Sequence, residues 1–160
     1  MQAKLEAKVL NLPPVNIAYQ RYIGPYGPGI GKFWNDTFMP WCVANHVERH
    51  ATFGIAHDDP HQTDPEKCRY DAGVEVAGDF KAIEPTYLTT LPGGRYAVAE
   101  FAGTATEIGA AWTTLFREWL PANGWQVDNR PCFERYLPDT KFDAKTGAFE
   151  CELCISVRPL

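Results

Sequence analysis

The chain has 160 residues, 45% hydrophobic and 22% charged, values of a folded domain with room for a core and not of a disordered segment. Twenty acidic residues against fifteen basic leave a formal net charge of −5, and without any basic run this excludes a surface built on phosphate contacts. No window approaches the roughly 18 apolar residues of a membrane span, and the N-terminus lacks the apolar core of a secretory leader, so the expectation is a cytoplasmic protein without membrane attachment or direct nucleic-acid binding.

From the N-terminus, a strand ending in RYIG (21–24) leads through the Gly- and Pro-rich PYGPGIG into a first helix, PGIGKFWNDTFMPWCVANH. The glycines lack the Lys-Ser/Thr of a phosphate loop, so they read as a helix entry. Ile30, Phe33, Trp34, Phe38 and Trp41 fall on one stripe. Pro40 predicts a kink or irregular turn, because its ring removes a backbone hydrogen bond. FGIAHDD (53–59) is the next strand. HDDPHQTDPEKC gathers histidines, carboxylates and Cys68, but Pro60 and Pro65 exclude the helix that would align His57 and His61 on one metal. That segment reads as a polar loop with Asp caps, and no metal or other cofactor is expected.

DAGVEV (71–76) is a further strand, and TYLTTLPGGRYAV joins two halves through a Pro-Gly-Gly turn. After a strand ending in EFAG (100–103), Thr104 and Glu107 form a capping box. Ile108, Ala111, Trp112, Leu115, Phe116, Trp119 and Leu120 then trace one buried helix face, which Pro121 and Gly124 should end. FERYLPD (133–139) and ECELCISV (150–157) alternate as strands. Cys151 and Cys154 make a C-x-x-C, yet residues three apart in a strand face opposite sides, and no second pair follows. Five cysteines in a chain of this size need no disulfide framework, and neither zinc nor redox chemistry is expected.

Ile30, Trp34, Phe38 and Trp41 match Ile108, Trp112, Phe116 and Trp119 at one constant offset. RYIG matches EFAG, FGIAHDD matches FERYLPD, and DAGVEV matches ELCISV, all in the same order. Fixed-order self-similarity predicts a duplicated strand-helix-strand-strand (βαββ) unit, with repeats near 15–78 and 92–160 of a single domain over 1–160. The predicted class is α+β: antiparallel sheets with two helices on one face, a pseudo-twofold relation and a ligand cleft between the repeats.

Strand alternation assigns faces. Ala72, Val74 and Val76 are apolar, with Asp71, Gly73 and Glu75 opposite; Cys151, Leu153, Ile155 and Val157 are apolar, with Glu150, Glu152, Cys154 and Ser156 opposite. In FERYLPD, Phe133 and Leu137 read as core, with Glu134 and Tyr136 on the other side. The polar faces therefore collect carboxylates near a ring, as a cation site would, although a solvated sheet face gives the same pattern. Glu134 stands apart because its counterpart in the other repeat is Gly54, which leaves room for an approaching group. A structural ion pair with Arg135 or Arg95 is the alternative.

PCFERYL, CELCISVRP, LPGGRYAVAEF and DDPHQTDPEKCRYDAGVEV together resemble the GyrI-like family of small-molecule-binding domains over essentially the whole chain. That family includes the stand-alone DNA gyrase inhibitory protein and the effector-binding domains of AraC- and MerR-type regulators. The resemblance implies the duplicated βαββ fold and a cleft for lipophilic, often cationic or aromatic molecules. It places the cation-meeting carboxylate on Glu134, with Trp34, Trp112, Phe53 and Tyr136 as walls. No helix-turn-helix is seen in the sequence, so the expected role is to sequester or sense a multidrug- or toxin-like ligand and not to bind DNA. Two alternatives follow from the same resemblance. One is a hydrolase opening strained cyclopropane-type genotoxins, with Glu134 and Tyr136 acting on water and on the developing anion. The other is a protein-binding inhibitor, such as of gyrase.

Overall fold

The elements of the computed structural model, which describes residues 5–139, 143 and 145–160, run β1 (Ala7–Leu12), β2 (Val15–Ile23), α1 (Pro28–Phe33), α2 (Met39–Ala44), β3 (Thr52–Ala56), β4 (Arg69–Glu75), β5 (Tyr87–Leu91), β6 (Gly94–Gly103), α3 (Ala105–Thr114), α4 (Leu120–Ala122), β7 (Trp125–Val127), β8 (Phe133–Tyr136) and β9 (Phe149–Pro159). The class is α+β with antiparallel pairing, as the strand and helix patterns predict. Among the described residues, no helix is long and apolar enough to cross a membrane.

Two compact units divide the chain: a central unit, Val15–Leu91, and a split unit, Met1–Pro14 with Pro92–Leu160. In the central unit the strands lie in the order β3-β4-β2-β5. In the split unit the order is β8-β9-β6-β1, with β7 on the far end of β9. The helix of the central unit buries Phe38 and Cys42 against Ala18, Tyr70, Ala72 and Val74. That of the split unit buries Leu115 and Leu120 against Ala99, Phe101, Cys151, Leu153 and Ile155. The strands of each unit thus have one helix-covered face and one reverse face, and burial of these side chains supplies most of what holds such short helices.

Both helices are broken by a wide π turn, at Trp34–Phe38 and at Leu115–Trp119. The amides of Met39 and Leu120 reach back five residues, to the carbonyls of Trp34 and Leu115. A proline comes one residue later in each case, Pro40 and Pro121. A proline ring would strike the carbonyl four residues back in a regular helix, and the wider turn relieves that clash. The irregular turn expected at Pro40 is present. Pro121 lies inside α4, which ends at Ala122, and the chain turns at Gly124 with φ 81°, so the helix ends where Pro121 and Gly124 together predict. The π turn also rotates the residues around it, so Phe116 is 38% exposed and leaves the buried stripe while Leu115 and Leu120 stay in it. At the start of α3, Thr104 N–H donates to Glu107 Oε1 at 2.9 Å, one half of the capping box.

Asp71 on β4 is 4% exposed and anchors the loop between β3 and β4. Arg21 on β2 donates to both its oxygens, at 2.8 and 3.0 Å, and His57 Nε2 lies 2.6 Å from Oδ2. Burial opposes ionisation of Asp71, but the hydrogen bonds from His57 and Arg21 outweigh it and hold the carboxyl below its usual value. At the loop surface, Arg69 holds Asp58 down to about 2. Asp59 and Asp64 accept from the amides of His61 and Glu66, which are the Asp caps the loop composition implies.

A carboxyl depressed by folding adds stability above its unfolded pKa, and that stability is lost as pH falls through the folded one. Asp71→Asn should therefore lower stability at neutral pH by about 2 kcal/mol or more. It should also flatten the fall in Tm below about pH 4, near the unfolded carboxylate value. Thermal melts across that range check both, and an acid limb identical to that of the parent protein would remove Asp71 from the account.

Candidate functional site

β8 is short, and its register on β9 decides where each side chain points. Phe133 lies opposite Cys154, Glu134 opposite Leu153 and Arg135 opposite Glu152. Directly opposed residues of an antiparallel pair share a face. Glu134 and Tyr136 therefore stand on the helix-covered face, with Cys151, Leu153 and Ile155, while Phe133 and Arg135 stand on the reverse face with Glu152 and Cys154. This corrects the grouping of Glu134 with Glu150 and Glu152 on one polar face. Each strand alternates as the sequence says, but the register pairs the polar side of β8 with the apolar side of β9. Cys154 and Ser156, placed on the polar side by alternation, are fully buried.

Tyr136 Oη donates to Glu134 Oε1 at 2.9 Å. The Tyr136 ring lies 6.0 Å from that of Phe149, which in turn is 5.7 Å from Phe101. Trp112, Trp119 and Tyr136 all pack on the same buried cluster. Cys151 is buried here as well, and desolvation, then the charge of Glu134, push its thiol up against an opposing hydrogen bond with Tyr136. A carboxylate, a phenol and an un-ionised thiol thus share one ring-lined face. Such a carboxylate can meet a cation, and the phenol fixes its orientation.

In the central unit, Trp34 Nε1 donates to Tyr70 Oη at 3.1 Å, and the Trp34 ring meets Phe38 edge-on at 5.4 Å. Gly54 lies opposite Ala72 and shares the helix-covered face with Tyr70 and Ala72. Phe53 lies opposite Gly73, which puts it on the reverse face at 2% exposure. Phe53 therefore stands on the other side of the strand from Gly54. In the split unit Glu134, Tyr136 and Trp112 belong to the helix-covered side, as Trp34 and Gly54 do in the central unit.

The remaining carboxylates of the split unit lie elsewhere. Arg135 donates to Glu152 at 2.7 Å, which gives Arg135 a different partner from the one its sequence position suggests, and Arg95 lies over Trp125 at 5.4 Å. Glu100 opposes Glu152 and Glu150 opposes Ala102 on the reverse face. With Glu107 and Glu118 they border an open groove. No group of three or more His, Cys, Asp or Glu among the described residues is placed to hold a metal ion.

Three polar features are not evident from the strand patterns alone. Cys151 reads as an apolar alternation residue, and only the register sets it beside Tyr136. Asp71 reads as an outward carboxylate, where Arg21 and His57 in fact bury it. Gln20 on β2 shares its side of VNIAYQRYI with Asn16, Ala18 and Tyr22, while Val15, Ile17 and Ile23 mark the other side as apolar, so its burial has no signal in the alternation.

The match to known sequences covers residues 5–158 and is to the GyrI-like small molecule binding domain. The chain belongs to that family. It is 35% identical over 133 residues to the SPbeta prophage-derived putative transcriptional regulator YosT of Bacillus subtilis, covering 82% of this chain and 89% of that one. It is 34% identical over 145 residues to the DNA gyrase inhibitor of Cronobacter turicensis, covering 89% and 90%. Among solved structures, the EcmrR C-terminal domain superposes with a TM-score of 0.72 at 14% identity, over 98% of this chain and 99% of that one. SAV2435 bound to tetraphenylphosphonium superposes with a TM-score of 0.60 at 17% identity, over 96% and 94%. Those two likenesses concern the fold.

Burial raises the thiols of Cys42 and Cys154 to about 12 and that of Cys151 further. All three should resist a thiol-specific reagent at about pH 8 in the folded protein and react on unfolding, since the thiolate is the reactive form. Rapid labelling of Cys151 in the native state, located by mass spectrometry, would contradict its placement.

Proposed function

We propose that this chain binds lipophilic cationic or aromatic small molecules reversibly, as a sensing or sequestering module, with Glu134 supplying the charge. The observation that carries this reading is the Glu134–Tyr136 pair held at 2.9 Å on a helix-covered face lined by Phe149, Phe101 and Trp112. A cation against a ring face gains about 0.5–2 kcal/mol, and a carboxylate in such low-dielectric surroundings attracts it more strongly than the same group in water. The family's description as a small molecule binding domain supports the ligand class. So does a protein of the same fold bound to tetraphenylphosphonium, a lipophilic cation. Trp34 and Gly54, on the helix-covered side of the central unit, are proposed as ligand contacts of that unit.

The test is a tryptophan-fluorescence titration with tetraphenylphosphonium, and with the matched pair phenyltrimethylammonium and tert-butylbenzene. Glu134→Gln should weaken the cations about tenfold or more, equivalent to roughly 1.4 kcal/mol, and leave the neutral compound within about twofold. An equal loss for charged and neutral ligands would end the role of charge. Mass spectrometry should recover the ligands intact; a hydrated product formed by the parent protein and not by Glu134→Gln would replace binding with hydrolysis.

A second reading rests on relatives bearing the name DNA gyrase inhibitor, at 34% identity from Cronobacter turicensis and 28% from Escherichia coli. The chain would then bind gyrase as a protein partner. At micromolar concentration it should slow supercoiling of a relaxed plasmid by gyrase, and an unchanged rate across that range removes this reading.

A further inference from the structure

Gln20 is 4% exposed and lies on the helix-covered face of the central unit. Its Nε2 donates to Thr86 Oγ1 at 2.8 Å, and Thr86 is itself 2% exposed. Its Oε1 is buried and meets no donor among the described residues. A buried carbonyl without a donor is rare in folded proteins, and each such group needs something that supplies the missing hydrogen.

The neighbours of Gln20 restrict what that can be. Pairing across three strands puts Gln20, Ala72 and Gly54 in one row on this face. Two minimal side chains therefore stand beside the amide, away from Thr86. The same face carries Tyr22, Tyr26, Trp34, Phe38 and Tyr70. A single water needs two to four polar partners to be held well, and alanine and glycine side chains offer none. A donor carried on an apolar body fits rings and small residues better, because the body gains the burial while the donor satisfies the amide.

We infer that Gln20 Oε1 is a hydrogen-bond acceptor for ligand, and that the central unit selects molecules bearing an N–H or O–H donor on an aromatic or apolar frame. The chemical class is the protonated primary or secondary amine, in preference to the fully substituted onium ion. This goes beyond the proposed function and rests on it only for the ligand class.

Corresponding rows sharpen the assignment. In the split unit the row is Glu134, Leu153, Ala99 and Ala7; in the central unit it is Gly54, Ala72 and Gln20. Matched by strand order, Glu134 stands where the other unit has Gly54, and Gln20 stands where the other unit has Ala99. Each row so matched carries one strong hydrogen-bonding side chain, on a different strand in each unit.

The experiment compares 1-naphthylmethylammonium, which carries donors, with its N,N,N-trimethyl counterpart, which carries none, by titration calorimetry on the parent protein and on Gln20→Met. Methionine keeps the length and removes both amide atoms. The parent should favour the primary ammonium, and Gln20→Met should cut that preference about tenfold while binding of the quaternary ion stays within about twofold. Circular dichroism and Tm confirm the fold. Should Gln20→Met not fold, Gln20→Glu serves instead, keeping an acceptor and preserving or strengthening the preference. An identical preference in parent and Gln20→Met overturns the inference and leaves the proposed function standing. A preference for a neutral ligand bearing only an acceptor overturns it too, by assigning the buried amide atom as N–H. Binding of neither cation overturns the proposed function, and this inference with it.

Discussion

Arg135 on β8 meets Glu152 on β9 at 2.7 Å, and the register marked by that ion pair sets the chemistry of the split unit. Strand side chains alternate with a period of two, so a slip of one residue would turn Glu134 and Tyr136 to the reverse face and bring Phe133 to the helix. With the pair in place, Glu134 lies among Cys151, Leu153, Phe149 and Tyr136. The ion pair is only about one-fifth exposed on each side, so it is screened less than a surface pair and separates correct from slipped pairing more sharply. Its energetic worth matters less than its position: it is a register mark beside the carboxylate of the proposed site.

The central unit uses the same device with the charges rearranged. Arg21 lies opposite Asp71 as β2 pairs with β4, and His57 joins from just beyond β3. This fixes which side chains rise toward the helix: Tyr70, Ala72 and Gln20, and through the β3 register, Gly54. Both units also resolve a helical proline in the same way, with a π turn one residue ahead of it. A π turn changes which residues of the helix face the sheet, so Pro40 and Pro121 act on the lining of each face without touching it.

Much of this is legible in the sequence, and the limits are instructive. The capping box at Thr104, the strand limits around FERY and ELCISV, the irregular turn at Pro40 and the α+β class all come from local rules that need no partner strand. What local rules cannot supply is which face of one strand meets which face of the next. Alternation sorts the faces of β8 and β9 correctly but joins them wrongly, because pairing is a long-range choice made partly by Arg135 and Glu152. The resemblance names Phe53 and the duplication argument names Gly54, and as strand neighbours the two stand on opposite faces.

Glu134 and Gln20 illustrate two ways a polar group persists in an apolar setting. Glu134 has a hydroxyl donor from Tyr136 and stands beside a thiol that burial keeps neutral, so its charge is the only one among those three groups. Gln20 is half satisfied, with its nitrogen committed to Thr86 and its oxygen left over among the described residues. An apolar residue in either place would pack without that cost, as Ala99 does at the position matching Gln20 and Gly54 at the position matching Glu134. Each unit thus keeps a polar side chain on its helix-covered face at a position where the other unit has a minimal one.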